Sequence, residues 1–116
     1  MAFEDQLERE LGKLCLFALV RNPGFRQRWK VYLSAPWLES DPDAGRRAVT
    51  AKLVSWLDRD ERVELGGVVA ASPHDPFVCS LMDLSAGREL PYEIRDVEIG
   101  RVEVEHGVIL GSCRAA

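Results

Sequence analysis

The residue types that perform covalent catalysis are sparse in this sequence, and the clearest nucleophile candidate is Cys79, which follows His74 and Asp75. A cysteine thiol becomes a strong nucleophile when a base or a positive charge converts it to a thiolate, and a histidine beside an aspartate is such a base. The competing interpretation is that His74 and Asp75 are turn residues between two prolines and that Cys79 is a small apolar core residue. We favour this interpretation, because cysteine outside disulfides is among the most buried residue types.

Patterns that bind metals, phosphates or cofactors are missing from the sequence. The two histidines, His74 and His106, each stand alone in a predicted turn, and the three cysteines show no metal-ligand spacing. Gly66-Gly67 fits neither the G-x-G-x-x-G pattern nor the P-loop, and no G-x-S-x-G motif is present. We therefore expect no catalytic residues, no metal and no cofactor, and a function other than enzymatic.

The segment 21–30, RNPGFRQRWK, is the first candidate binding surface. Its basic side chains are Arg21, Arg26, Arg28 and Lys30. Phe25 and Trp29 lie among them, and arginine and tryptophan often anchor interfaces, because a guanidinium forms paired hydrogen bonds and an indole buries a large rigid surface. Three interpretations stay open for this basic patch: a solvated helix face, a contact surface for an acidic partner protein, and a nucleic-acid-binding site.

Carboxylates of the C-terminal third form the second candidate surface. Their alternation with apolar residues in the stretch VEIGRVEVE places them on a solvated sheet face. This acidic face consists of Glu93, Asp96, Glu98, Glu103 and Glu105. The net charge of −4 disfavours nucleic-acid binding, since the chain repels a phosphate backbone. Carboxylates on a folded scaffold can instead occupy a cationic groove in the place of phosphates.

Helical periodicity dominates the N-terminal half. Apolar residues spaced by three and four predict a helix over residues 3–20, ended by Asn22-Pro23-Gly24. Residues 25–33 fit either a helix face or the alternation of a strand, and we prefer a helix because Pro23 can start one. Asp41-Pro42 is a stronger start signal and predicts a helix over about 43–58.

Strand-like patterns dominate after residue 60. Strands are predicted in RVELGGVVAAS, where Gly66-Gly67 indicates a bulge or a close backbone approach, and in FVCSLMDL. In VEIGRVEVEHGVILG, Gly100 indicates a bulge or a tight turn, and His106-Gly107 indicates the turn into a last strand. The resulting fold class is α+β, with two or three N-terminal helices packed on a C-terminal antiparallel sheet of about four strands. At 116 residues, the chain is expected to be a single domain, 1–116.

The last predicted strand, GVILG around Val108–Leu110, carries no charge and no proline. At a sheet edge it would invite pairing with a second copy, giving a homodimer, or with a target. A position inside the sheet is the alternative.

Composition indicates a soluble cytoplasmic protein. Three widely spaced cysteines fit reduced thiols, the N-terminus is acidic where a secretory signal is basic, and the apolar run 14–20 is shorter than a membrane span. Twelve arginines against three lysines hint at a GC-rich bacterial or phage source.

These observations favour a small acidic protein-binding module, such as an inhibitor, an immunity or anti-defence protein, or an accessory protein, that occupies a partner's surface. One alternative is a small-molecule-binding protein or enzyme with a pocket between helices and sheet, lined by Trp29, Trp37 or Trp56. The other is nucleic-acid binding through segment 21–30. No membrane partner is expected.

Overall fold

A computed structural model of the chain describes residues 8–9, 12–23, 28–38, 41–60 and 65–113. Five strands, two helices and one short 3-10 turn, Pro36–Leu38, form its main elements. In chain order the strands and helices are β1 (Leu16–Arg21), β2 (Trp29–Ser34), α1 (Pro42–Trp56), β3 (Leu65–Ala70), α2 (Pro76–Ser85), β4 (Tyr92–Ile99) and β5 (Val102–Ser112).

All five strands belong to one mixed sheet with the order β3-β2-β1-β5-β4. β2 and β3 run parallel and are connected through α1, whereas the other neighbouring pairs are antiparallel. The long β5 therefore lies between β1 and β4, and the two edges of the sheet are β3 and β4.

Each face of the sheet packs against one helix. Alternate residues of β1 supply both cores, because successive side chains of a strand point to opposite faces. Phe17 joins the cluster that contains Val49 and Leu53 of α1, here called the α1 core. Leu16, Ala18 and Val20 join Val78, Leu81 and Met82 of α2 in a second cluster, the α2 core.

The predicted fold is wrong in its element order and in its sheet. The helices α1 and α2 lie between strands instead of preceding them, and the sheet has five strands of mixed direction instead of about four antiparallel ones. Residues 8–9, which are described, are helical as predicted. The predicted helix over 3–20 is wrong where it overlaps β1, and residues 1–7, 10 and 11 lie outside the described residues. A strand that is buried on both faces carries apolar residues at successive positions, so it lacks the alternation of apolar and polar residues by which a strand is recognised.

Two further segments differ from prediction. Residues 29–34 form strand β2, the alternative to the preferred helix, and residues 24–27 lie outside the described residues. The segment FVCSLMDL forms helix α2 instead of a central strand. Asp75 Oδ1 accepts hydrogen bonds from the backbone N–H groups of Phe77, at 3.0 Å, and Val78, at 3.1 Å, and so satisfies the first turn of that helix.

Other predicted elements are confirmed. The helix expected over about 43–58 is α1, and Asp41 Oδ1 accepts from Ala44 N at 3.1 Å as its cap. The expected bulge appears where Trp29 pairs with Leu65 and the next residue pairs with Gly67.

The C-terminal hairpin matches the predictions in part. Gly100, at φ 64°, turns the chain between β4 and β5 as predicted. The predicted turn at His106-Gly107 is wrong, because β5 continues through both residues. Val108–Leu110 lies inside the sheet, so this strand presents no open edge for a second copy.

Candidate functional site

Four of the five predicted acidic-face residues meet in one cleft at the β4–β5 hairpin. This hairpin cleft has a volume of about 350 Å³. It is lined by Pro23, Asp96, Val97, Glu98, Glu103, Val104 and Glu105. The structure therefore brings together side chains that the sequence placed on one face, and it adds two valines and a proline between them.

The backbone of the hairpin sets the spacing of these carboxylates. Across the two strands Val97 is paired with Val104 and Glu98 with Glu103. Asp96 adopts φ 49°, a left-handed conformation that aspartate tolerates better than most residues, between the Arg95–His106 and Val97–Val104 pairs. The Val97 side chain is left 37% exposed beside the acids.

Like charges face each other across the hairpin. Glu98 and Glu103 are direct cross-strand partners, an arrangement that destabilises a sheet. Within the described part of the chain, neither carboxylate has an ion-pair partner. Glu98 and Glu103 therefore give the cleft negative charge that no ion pair in the described structure neutralises.

A row of polar and aromatic side chains extends from the cleft across four strands. Strand pairing aligns Trp29, Arg21, His106 and Arg95. The guanidinium carbon of Arg21 lies 5.2 Å from the ring centroid of Trp29, and the Trp29 and His106 rings are 5.0 Å apart. We call these four residues the polar row. Edge-on ring packing and cation–π contact stabilise such an arrangement.

Glu105 joins the hairpin cleft to the polar row. Its Oε1 lies 3.6 Å from Nη2 of Arg21, and both side chains are about seven-tenths buried. Arg21 Nε and Glu105 Oε2 are buried without a hydrogen-bond partner in the described structure. A buried polar atom left without a partner costs stability, so the contact is electrostatically favourable and incompletely satisfied.

Glu93, the fifth acidic-face residue, lies next to the polar row and outside the cleft lining. Arg95 Nε donates to Glu93 Oε1 at 2.7 Å, and His106 Nε2 lies 2.8 Å from the same oxygen. The hydrogen bond from Arg95, with smaller contributions from His106, lowers the pKa of Glu93 below its ordinary value. Glu93 is therefore a less available acceptor than the cleft carboxylates.

The predicted basic patch is divided by the structure. Arg21 belongs to the polar row and pairs with Glu105, which the sequence had assigned to the other candidate surface. Lys30 is exposed on the opposite face of the sheet from Arg21, since it is adjacent to Arg21's partner Trp29 in β2. Arg28 is exposed, and Arg26 lies outside the described residues.

The residues of the nucleophile hypothesis have structural contacts of their own. The Cys79 thiol donates to the carbonyl oxygen of Pro73 at 3.1 Å, and the Asp75 carboxylate caps α2. The tryptophans proposed to line a pocket lie apart in the fold: Trp29 is in the polar row, Trp37 packs against the α1 core and Trp56 is 46% exposed. A second cleft, of about 280 Å³ between Phe77 and Arg101, has no tryptophan in its lining.

Sequence reasoning missed Trp29, His106 and Val97 as members of one site. Their grouping depends on the register of β1, β2, β4 and β5, which pairs residues far apart in the chain. The turn predicted at Gly100 was the one local signal for this site, and it places Glu98 and Glu103 opposite each other in the hairpin.

In the described segments, no three histidine, cysteine or carboxylate side chains are placed to hold a metal ion. None of the described helices has the length and apolar character needed to cross a membrane. No protein-family profile, curated protein or solved structure matches the chain.

Proposed function

We propose that this chain is a protein-binding module whose hairpin cleft receives a cationic segment of a partner protein. The observation that supports it best is the convergence of Asp96, Glu98, Glu103 and Glu105 in one cleft. Carboxylates in a cleft attract and orient guanidinium and ammonium groups, and they speed the encounter with a basic partner.

The chemistry of the cleft favours a lysine or arginine side chain over other cations. Val97, which is 37% exposed, lines it beside the acids, so the methylene stem of a long basic side chain has an apolar side chain to contact. A bound cation would also relieve the repulsion between Glu98 and Glu103, so binding gains energy that the unbound hairpin lacks.

The same charge pattern opposes nucleic acid at this surface. Four carboxylates repel phosphates, whereas a protein that itself binds phosphates offers the complementary groove. We therefore propose a cytoplasmic inhibitor, immunity, anti-defence or accessory protein that covers such a groove. Charge complementarity of this kind sets specificity and association rate more than it sets the final affinity.

Charge reversal in the cleft tests the proposal. The tagged chain, its Glu98→Lys/Glu103→Lys variant and a control variant, Asp60→Lys/Glu89→Lys, are used to capture partners from the source lysate with and without nuclease. Asp60 and Glu89 are exposed and lie outside the cleft, so both variants change the net charge equally. We expect the wild type and the control variant to capture the same partner protein, whether or not nuclease is added. The cleft variant should bind this partner at least tenfold more weakly.

Equal recovery by the cleft and control variants would overturn the proposal. Recovery that is lost on nuclease treatment would indicate nucleic-acid binding through the basic segment 21–30. Capture of no macromolecule would indicate a small-molecule ligand.

A neutral variant separates loss of binding from loss of folding. Replacing Glu98 with Gln removes the like-charge pair, so we expect the free energy of unfolding to rise by about 0.2–1 kcal/mol while partner binding weakens. Urea unfolding measures the first effect and titration with the captured partner the second. Glu89→Gln, at an exposed position outside the cleft, should change neither, and a destabilised Glu98→Gln protein would contradict the repulsion on which this argument rests.

A further inference from the structure

Two cysteines from opposite ends of the sequence meet at the end of the sheet far from the hairpin cleft. Cys15 immediately precedes β1 and Cys113 immediately follows β5. Their neighbours Leu16 and Ser112 are cross-strand partners, and the backbone N–H of Cys113 donates to the carbonyl oxygen of Cys15 at 3.0 Å. This hydrogen bond joins the two cysteine backbones just beyond the ends of β1 and β5.

Both cysteine side chains lie on the α2 side of the sheet. Cys15 packs against the α2 core, and Cys113 Sγ lies 3.8 Å from Sδ of Met82, a member of that core. A disulfide requires about 4.4–6.8 Å between Cα atoms and side chains on a common side. The backbone hydrogen bond between the two cysteines and their shared contacts on the α2 side favour this geometry.

We propose that Cys15 and Cys113 form an oxidation site, in which hydrogen peroxide converts the two thiols to an intramolecular disulfide. Cys113 is exposed and Cys15 half-buried, so the peroxide reaches Cys113 first. The Cys113 thiolate attacks one peroxide oxygen, the O–O bond breaks, and Cys113 becomes a sulfenic acid while hydroxide leaves. Cys15 sulfur then attacks Cys113 sulfur, the S–O bond breaks, and the hydroxide leaves with the Cys15 proton as water.

Cys79 is the internal control for this reaction. It lies on α2 and, like Cys15, packs against the α2 core, but its thiol donates to the carbonyl oxygen of Pro73. Oxidation of the Cys15–Cys113 pair therefore removes two of the three thiols and leaves the third.

The disulfide would join the beginning of β1 to the end of β5 and so close a loop that contains most of the chain. Closing a long loop restricts the unfolded chain, so we expect the melting temperature to rise by about 10 °C on oxidation. This inference does not depend on the proposed partner binding, since the cysteine pair and the hairpin cleft lie at opposite ends of the β1–β5 pairing.

Peroxide titration of the purified chain tests the inference. Wild type, Cys15→Ser, Cys113→Ser and Cys79→Ser proteins are treated with a small excess of hydrogen peroxide, alkylated with iodoacetamide, digested and analysed by mass spectrometry. We expect a linked peptide containing Cys15 and Cys113 in the wild type and in Cys79→Ser, reversed by dithiothreitol, and none in the other two variants. The melting temperature should rise in the same two proteins.

Two results would overturn the inference. In the first, Cys15 and Cys113 of the folded wild type are still alkylated after peroxide treatment, although the same treatment converts them to a disulfide in a denatured control. The other is a linked peptide that involves Cys79 or appears only in covalent dimers.

Discussion

Glu93 lies where the charges of β4 and β5 meet, and its contacts make stability depend on pH. Arg95 donates to Glu93 Oε1 and His106 lies against the same oxygen. The pKa of Glu93 is lowered from 4.5, chiefly by Arg95, so the ionised carboxylate stabilises the fold. This contribution is fully present above pH 4.5 and is lost as the pH falls through the lowered pKa.

Replacing Arg95 with Gln should therefore destabilise the protein at pH 7, and the difference from wild type should shrink as the pH falls below 4.5. Urea unfolding of both proteins between pH 7 and pH 3 measures it. Arg101→Gln, at another exposed arginine, should show no such trend. A difference that stays constant over this range would mean that Arg95 acts through packing and not through Glu93.

Whether a contact in the site can be predicted from the sequence depends on how far apart its two residues lie along the chain. Glu98 and Glu103 flank a glycine turn, so their proximity could be predicted from local pattern alone. Arg21 and Glu105 are contributed by β1 and β5, and their contact depends on a strand register that no local pattern encodes. For this reason the basic and acidic surfaces were predicted as separate, whereas Arg21 joins them.

The start of α2 shows which local signals were sufficient and which were missed. Asp41-Pro42 correctly predicted the start of α1, and Asp75-Pro76 is the same signal at the start of α2. The buried residues Val78, Leu81, Met82 and Ser85 follow helical spacing, although the stretch is apolar enough to resemble a central strand.

The α2 cap can be tested by substitution. Asp75→Ala removes the acceptor for the N–H groups of Phe77 and Val78, so we expect the free energy of unfolding to fall by about 1 kcal/mol. Asp75→Asn keeps an acceptor oxygen and should cost less. Chemical denaturation followed by circular dichroism distinguishes the two, and equal losses would show that the negative charge, not the hydrogen bonds, stabilises this helix.

β1 was wrongly predicted as a helix for a different physical reason. Its residues are apolar on both parities because the sheet is covered on both faces, one by α1 and the other by α2. Periodicity cannot distinguish such a strand from a buried helical turn, and the choice depends on partners supplied later in the chain. The fold class was approximated, but the order of its elements required these long-range pairings.

At the scale of the whole molecule, the two cores share β1, which predicts that they unfold together as one domain. Leu53 of α1 and Leu81 of α2 lie in different cores, and either substitution by Ala should reduce the free energy of unfolding by about 2–5 kcal/mol. Tryptophan fluorescence reports mainly on the α1 side, where Trp37 packs, whereas far-ultraviolet circular dichroism reports on every element. In both variants the two signals should shift to the same lower urea midpoint, because the central strands transmit the loss of either core. Separate midpoints in Leu81→Ala, with fluorescence unfolding later than circular dichroism, would show instead that the α1 side keeps its structure without α2.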